Sequence, residues 1–211
     1  MSTDTYKEFT WRSSGPGNGE TGFELVKKFL TLVTRLENVR RICDLGCGNG
    51  YLAGRLAALG YEVTGVDASE SGIEIAQESY SKPQFLRSLI NSFLSENTGL
   101  RDFDLVISSD VIEHLYRPAD LLEAATPLLK ERGQILIGTP YHGYLKNLAL
   151  SLTGKMDSHF CVLEDGGHIK FFSVKTLSAL VQMHGFNEPQ FSFYGRAPLL
   201  WMNMICHARK R

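Results

Sequence analysis

The stretch ICDLGCGNGYLAGRL, residues 42–56, decides how the chain folds. An apolar run meets Gly46, Gly48 and Gly50 at alternate positions and a helical pattern follows, so a strand hands over to a helix through a glycine-rich turn. Glycines there permit positive φ and let the backbone approach a ligand, whose polar groups can meet N–H donors near the helix start. A dinucleotide fingerprint requires GxGxxG, and counting from Gly46 the sixth position is Tyr51, so the phosphate-cradling form is absent. Asp44 precedes the turn by two residues, and the next β-like run, YEVTGVD, ends on Asp67. A carboxylate at that place can accept hydrogen bonds from both ribose hydroxyls. The combination points to a nucleoside without pyrophosphate.

Outward from this turn, β-like and helical runs alternate: RRICDL, YLAGRLAAL, YEVTGVD, SGIEIAQESY, PQFLRSL, a polar stretch, FDLVISS, PADLLEAATPLLK and GQILIGT. That order predicts an α/β fold, a parallel sheet with helices on both faces. Before it, FELVKKFLTLVTRL predicts a helix with Phe23, Val26, Phe29, Leu30 and Val33 on one face, preceded by the flexible SSGPGNGETG, residues 13–22. After it, HIKFFSVKTLSALVQMHGF reads as a helix closed by Gly185. QFSFYG and a final strand around LLWMNMICHA, joined by GRAP, read as an antiparallel hairpin. The expected layout is one domain over residues 1–211: an N-terminal segment and helix (1–38), a ligand-binding core (39–140), an inserted lid or substrate loop (141–170), and a last helix with the terminal strand pair (171–211). The insertion exceeds a routine connection.

With 211 residues the chain suits one compact domain, and a net charge of −1 gives no reason to expect a polyanionic partner. No nucleic acid is therefore expected. The start MSTDTYKEFTWRSS lacks the basic-then-apolar order of a signal peptide, and no apolar run approaches the roughly 20 residues that span a bilayer, which predicts a cytoplasmic protein. Cys43, Cys47, Cys161 and Cys206 show neither CxxC spacing nor the density of a disulfide scaffold, so reduced thiols are expected, with Cys47 filling space inside the turn.

DLVISSDVIEHLYRP, residues 104–118, carries the remaining chemistry. An apolar run gives way to Asp110, Glu113 and His114, two carboxylates and an imidazole that could bind metal, move protons or cap a helix. If the chain turns helical after Ser109, Asp110 lies three and four residues from the other two and all three share a face. His142, His159 and His168 sit in or beside the insertion, where each could serve as base or orienter. YLKNLALSL places Tyr144, Leu145, Leu148, Ala149 and Leu152 on an apolar face with Lys146 opposed; core packing, a substrate lid or membrane-surface contact would each use that face. Tyr141, Tyr144, Phe171, Phe172 and Trp201 are candidates for lining an apolar acceptor pocket, or for the core.

Across residues 40–140, DLGCGNG with VTGVDAS, FDLVISSDVIEHL and LLKERGQILIGTP resemble, in order, the class I S-adenosylmethionine-dependent methyltransferases. The resemblance implies a Rossmann-like seven-stranded sheet, mostly parallel with an antiparallel last strand, and S-adenosylmethionine at the C-terminal edge of the strands. It implies that Asp44, Gly46, Gly48 and Gly50 contact the methionine part and ribose, and that Asp67 holds the ribose. No acid follows the third strand in FLRSLINS, so backbone and apolar contact near Leu89 is expected to hold the adenine. Within the family the order acid-x-x-Glu-His, the turn GTPYHGYLKNLALSL and the GGHIKFF segment are similar to the ubiquinone-biosynthesis O-methyltransferases. That likeness implies a divalent metal on Asp110, Glu113 and His114, with His114 as a candidate base, and a phenolic acceptor, although the first acid is Asp where that group commonly has Glu. The reading is methyl transfer to a small molecule, by preference to a hydroxyl on an apolar or aromatic acceptor. An N- or carboxyl-methyltransferase, a regulatory protein that binds cofactor without turnover, and a nicotinamide dehydrogenase are the alternatives. Tyr51 argues against the last, and the absence of an Asn/Asp-Pro-Pro-Tyr/Phe pattern argues against methylation of nucleic-acid bases.

Overall fold

The computed structural model describes residues 9–15, 19–160, 163 and 166–211. The chain start and Cys161 lie outside the described residues. Seven strands form one sheet in the order β3-β2-β1-β4-β5-β7-β6. They are β1 (Arg41–Leu45), β2 (Glu62–Asp67), β3 (Gln84–Arg87), β4 (Phe103–Ser109), β5 (Leu129–Pro140), β6 (Gln190–Tyr194) and β7 (Asn203–Arg209). The pairs among β1 to β5 are parallel, while β7 runs antiparallel to both β5 and β6, as the sequence predicts.

Period-two alternation divides the strand side chains between two cores. Cys43 and Leu45 of β1, Val106 of β4, Ile135 and Ile137 of β5 and Met204 and Cys206 of β7 face one side. There they meet α5 (Ala119–Leu128) through Leu121 and Leu122, and α8 (Val174–Met183) through Leu177 and Val181. Ile42, Leu105, Ile107, Leu136 and Ile205 face the other side, against Leu25, Phe29 and Val33 of α1 (Gly19–Val33) and Leu52, Ala53 and Leu56 of α2 (Tyr51–Ala58). Phe29 fits because Gly138 of β5 has no side chain: a Cβ there would stand 2.8 Å from its ring. Phe23, expected on the same face, is instead exposed and edge-on to Tyr51, and Leu25 takes a place on the buried face.

The expected C-terminal helix is shorter than its pattern. It begins at Val174, where Ser173 and Thr176 form a capping box, and residues 168–172 run extended before it. The predicted hairpin is present, but its connection is longer than GRAP, since β7 starts only at Asn203. Two helices, α6 (Tyr144–Leu152) and α7 (Met156–Phe160), occupy the insertion. Two short helices, α3 (Glu70–Ser79) after β2 and α4 (Leu94–Thr98) after β3, complete the list.

The orientation of α6 reverses the expectation. Tyr144 and Leu152 are 79% and 78% exposed, with Leu145 and Leu148 also outward, whereas Lys146 is 3% exposed. Backbone chemistry favours the reversal: Lys146 Nζ donates to Tyr141 O at 2.7 Å and, more weakly, to Met202 O at 3.4 Å, which already accepts from Tyr141 N. Among the described residues, no helix is long and apolar enough to cross a membrane.

Candidate active site

The strands β1, β4, β5 and β6 end on one edge, and buried polar atoms without hydrogen-bond partners collect there. They include Asp44 Oδ2 after β1's midpoint, Asp110 Oδ1 just past β4, Glu113 Oε1, Tyr194 OH at the end of β6, and His142 Nδ1 and Asn147 Oδ1 beyond β5. Folded proteins leave few such atoms, so a cluster at one edge marks where a ligand supplies partners.

The glycine-rich turn takes φ of +80°, +51° and +75° at Gly46, Gly48 and Gly50. Its N–H groups are turned inward: Gly46 N and Cys47 N donate to Val66 O, Gly50 N to Cys47 O, and Gly48 N to Asp67 Oδ2 at 2.7 Å. The ligand-facing donors expected of the turn are thus already engaged at these four positions. Acids dominate instead. Asp67 Oδ1 accepts from Ser69 N, and Ser69, not Asp67, caps α3. Asp44 is buried, and burial together with the Asp67 charge pushes its pKa up to about 8. Cys47 stays a buried thiol whose pKa burial raises well above its usual value, in keeping with a space-filling role. Leu89 lies exposed just after β3, next to Ser88, whose N–H donates to Asp67 O.

Residues 9–15 run across this turn, a contact the sequence did not signal. Trp11 N donates to Ser71 Oγ, Ser69 Oγ to Phe9 O, and Tyr80 OH to Ser14 O. Asn49, inside GCGNG, gives its amide to Ser13 O and Gly15 O, both at 2.6 Å. The Trp11 indole lies so close to Gly48 that a Cβ there would stand 2.2 Å from the ring. Gly48 is needed for that approach as much as for its backbone angle.

Past β4 the chain does not turn helical at Asp110. Asp110 takes φ +52° with its N–H on Gly138 O, and a single 3-10 turn, Ile112–His114, follows with Val111 as its uncapped start. The expected common face is therefore broken. Asp110, half-buried with its Oδ1 shielded, and the fully buried Glu113 form a carboxylate pair, with Thr139 Oγ1 donating to Glu113 Oε2. Burial pushes Asp110 up to about 7, and burial with the Asp110 charge raises Glu113 well above its usual value. His114 swings out to the rim. Its Nδ1 meets Gly166 O at 2.8 Å and its ring stands edge-on to His168 at 4.8 Å between centroids. The extended 168–172 segment is pinned there by Ile169 N and Lys170 N on Glu113 O. The donor atoms brought within 4.8 Å of one another are those of Glu113, His114 and His168, so His168 takes the place expected for Asp110.

Beyond β5, His142 is buried beside His159, Phe160 and Phe171, with ring centroids 5.4, 5.8 and 5.0 Å away. Burial, reinforced by Lys146 and His159, holds His142 down to about 4. Burial and the Arg196 charge hold Lys146 down to about 8. Of the aromatic candidates, Tyr141 packs edge-on to Phe193 and Trp201, Phe172 is in the core, Phe171 lines the His142 cluster, and Tyr144 faces outward.

This site sits on a chain whose residues 20–188 match the family described as methyltransferase domain. The protein belongs to that family. Similar relatives include a ubiquinone biosynthesis O-methyltransferase of Caulobacter sp. (strain K31), 34% identical over 65% of this chain and 50% of that protein. Another of the same description, from Ruegeria sp. (strain TM1040), is 29% identical over 76% and 66%. The chain spans about half the length of the first of the curated relatives it matches. A SAM dependent methyltransferase from Archaeoglobus fulgidus shares the fold with a TM-score of 0.70 at 19% identity, covering 89% of this chain and 94% of that one. Magnesium protoporphyrin IX methyltransferase from Synechocystis PCC 6803, solved with bound SAH, gives 0.67 at 20% identity over 89% and 83%.

Proposed function

We propose that the protein is a methyltransferase that moves the methyl group of S-adenosylmethionine onto a hydroxyl of a small apolar or aromatic molecule. The observation that carries this reading is the acidic strand edge: Asp44, with one orphaned oxygen, next to Asp67, and Asp110 beside Glu113. A buried acidic edge without a cation in it fits a donor with a sulfonium and an ammonium. Asp67 would accept from the ribose hydroxyls, Asp44 would face the ammonium, and the turn from Gly46 to Gly50 would pass beneath the methionine part. Leu89 would lie against the adenine. When bound, S-adenosylmethionine supplies a methyl carbon activated by a positive sulfur. The acceptor oxygen forms its bond to that carbon as the carbon–sulfur bond breaks, and the hydroxyl proton has to leave.

His114 is our candidate for receiving it. The 2.8 Å contact of Nδ1 with Gly166 O places the proton on Nδ1 and leaves Nε2 basic. A ring nitrogen of His114, with a carboxylate oxygen of Glu113 and a nitrogen of His168, fits a divalent cation that would lower the hydroxyl's pKa instead. Water exclusion falls to the inserted helices and residues 9–15. The outward apolar face of α6 supports contact with a membrane surface by a protein otherwise read as cytoplasmic.

Calorimetry with S-adenosylhomocysteine, then labelled methyl transfer to a catechol panel with and without chelator, tests the reading. No cofactor binding overturns it. A rate unaffected by chelator removes the metal, and an unchanged rate in His114→Ala removes that residue as base.

A further inference from the structure

The acceptor end of the site is electrically opposite to the donor end. Lys146 is 3% exposed, yet among the described residues its ammonium meets two carbonyl oxygens, one of them at 3.4 Å, and no carboxylate. The charge it feels is that of Arg196, which repels it. His142 is 6% exposed, and neither its Nδ1 nor the Oδ1 of neighbouring Asn147 has a partner in good hydrogen-bond geometry; the support that Asn147 gives a charged ring is outweighed by burial and by Lys146. His159, 5.4 Å from His142 between ring centroids, is repelled by Lys146 and Arg196. Four basic side chains thus converge from four places in the chain: the end of β5, α6, α7 and the β6–β7 connection. Among the described residues none of the four forms an ion pair with an acid. His168 also repels His142, but it faces Glu113 and His114 and belongs to the site already described.

A buried cation without a counter-charge costs several kcal/mol, and the usual remedy is a partner or a ligand. Lys146 gives Tyr141 O a donor at that cost, although a neutral donor would have sufficed, and Met202 O already has the Tyr141 N–H. The location says which ligand. His142 lies two residues beyond Pro140, and β5 pairs in parallel with β4, which ends at Ser109 just before Asp110. The basic group and the acidic donor edge therefore share one rim.

We propose that the methyl acceptor carries an anionic group, a carboxylate or a phosphate, held by Lys146, His142, His159 and Arg196. This rests on the methyltransferase reading for the identity of the ligand as acceptor, and it adds the acceptor's charge. The donor's cation faces the acids, and the acceptor's anion faces the bases.

The test uses the full chain saturated with S-adenosylhomocysteine. Binding of catechol, 3,4-dihydroxybenzoate, benzoate and phenyl phosphate is measured by calorimetry, and methyl transfer to the two catechols is measured separately. 3,4-Dihydroxybenzoate is expected to bind about 10-fold or more tightly than catechol, the worth of one charge-assisted hydrogen bond. Benzoate against phenyl phosphate then tells which anion the pocket takes. Lys146→Met is expected to bring the acid-to-neutral ratio close to one. If that variant no longer binds S-adenosylhomocysteine, the double variant His159→Gln with Arg196→Gln, at a half-buried and an exposed position, carries the same expectation. Equal binding of catechol and 3,4-dihydroxybenzoate, no binding of any anion, or variants that weaken both catechols alike would overturn the proposal. Anion binding without methyl transfer to either catechol leaves it standing as a binding site and removes O-methylation of catechols from the reading above.

Discussion

Strand β4 carries a carboxylate near each end, and the two are held in opposite states. Asp104 accepts from Arg40 N and Arg41 N through Oδ2 and from Lys130 Nζ through Oδ1. Burial opposes its charge, but these bonds outweigh burial and hold its pKa below the usual range. Asp110, six residues on, has an orphaned oxygen and a pKa pushed up to about 7. One strand thus contrasts a carboxylate of structural character with one of the character that the proposed function asks of a ligand-facing group. The first is served by donors that belong to the fold, and the second waits for something that does not.

The comparison can be broken in several ways. The largest effect is expected from Asp110→Ala, which should lower kcat/KM by about 100-fold or more in the labelled methyl-transfer assay, if the acid edge stabilises the reacting centre. Asp67→Ala should weaken S-adenosylhomocysteine by on the order of 30- to 100-fold in calorimetry, through lost charge-assisted hydrogen bonds to the ribose. Smaller and opposite shifts are expected in denaturant unfolding of the ligand-free protein. Asp104→Asn should cost about 1–3 kcal/mol and leave kcat/KM unchanged, while Asp110→Asn should stabilise by about 1 kcal/mol. The same stability for both variants would dissolve the contrast.

The pH dependence sharpens it with a sign. Asp44 and Asp110 have folded-state values raised to about 8 and about 7. The stability they contribute is complete below their unfolded value of about 4 and is lost as pH rises through 7 to 8. Asp104, with a lowered value, contributes above about pH 4 and loses its contribution as pH falls through its folded pKa. The melting temperature of the ligand-free protein should therefore decline between pH 5 and 8. In Asp44→Asn that decline should be shallower.

How much of this was legible beforehand depended on the range of the interaction. The strand and helix pattern, the glycine turn and the terminal antiparallel strand follow from local periodicity, and the sheet has them. Asp44, Asp67, Asp110 and Glu113 were legible because strand ends place their residues on one edge whatever the loops do. Side-chain direction after β4 was not, since the helical spacing of Asp110, Glu113 and His114 assumed a helix that the left-handed Asp110 prevents. The pairing of Glu113 with His168 spans 55 positions of the chain and has no local signature. Lys146 misled for a different reason. An amphipathic pattern states which face is apolar, but it carries no sign that Lys146 Nζ finds Tyr141 O and Met202 O on the inner side. Its one readable sign was being the sole charge in YLKNLALSL.

The two hydrogen bonds from Asn49 to Ser13 O and Gly15 O have a kinetic meaning. On the proposed function, a nucleoside seated on Asp67 would be bordered by Trp11 on Gly48, and spent donor would leave by a path that residues 9–15 help to wall. Exchange is then expected to be paced by how often that wall lifts. An affinity tag or a truncation near residue 9 would change turnover even though it touches no reacting atom.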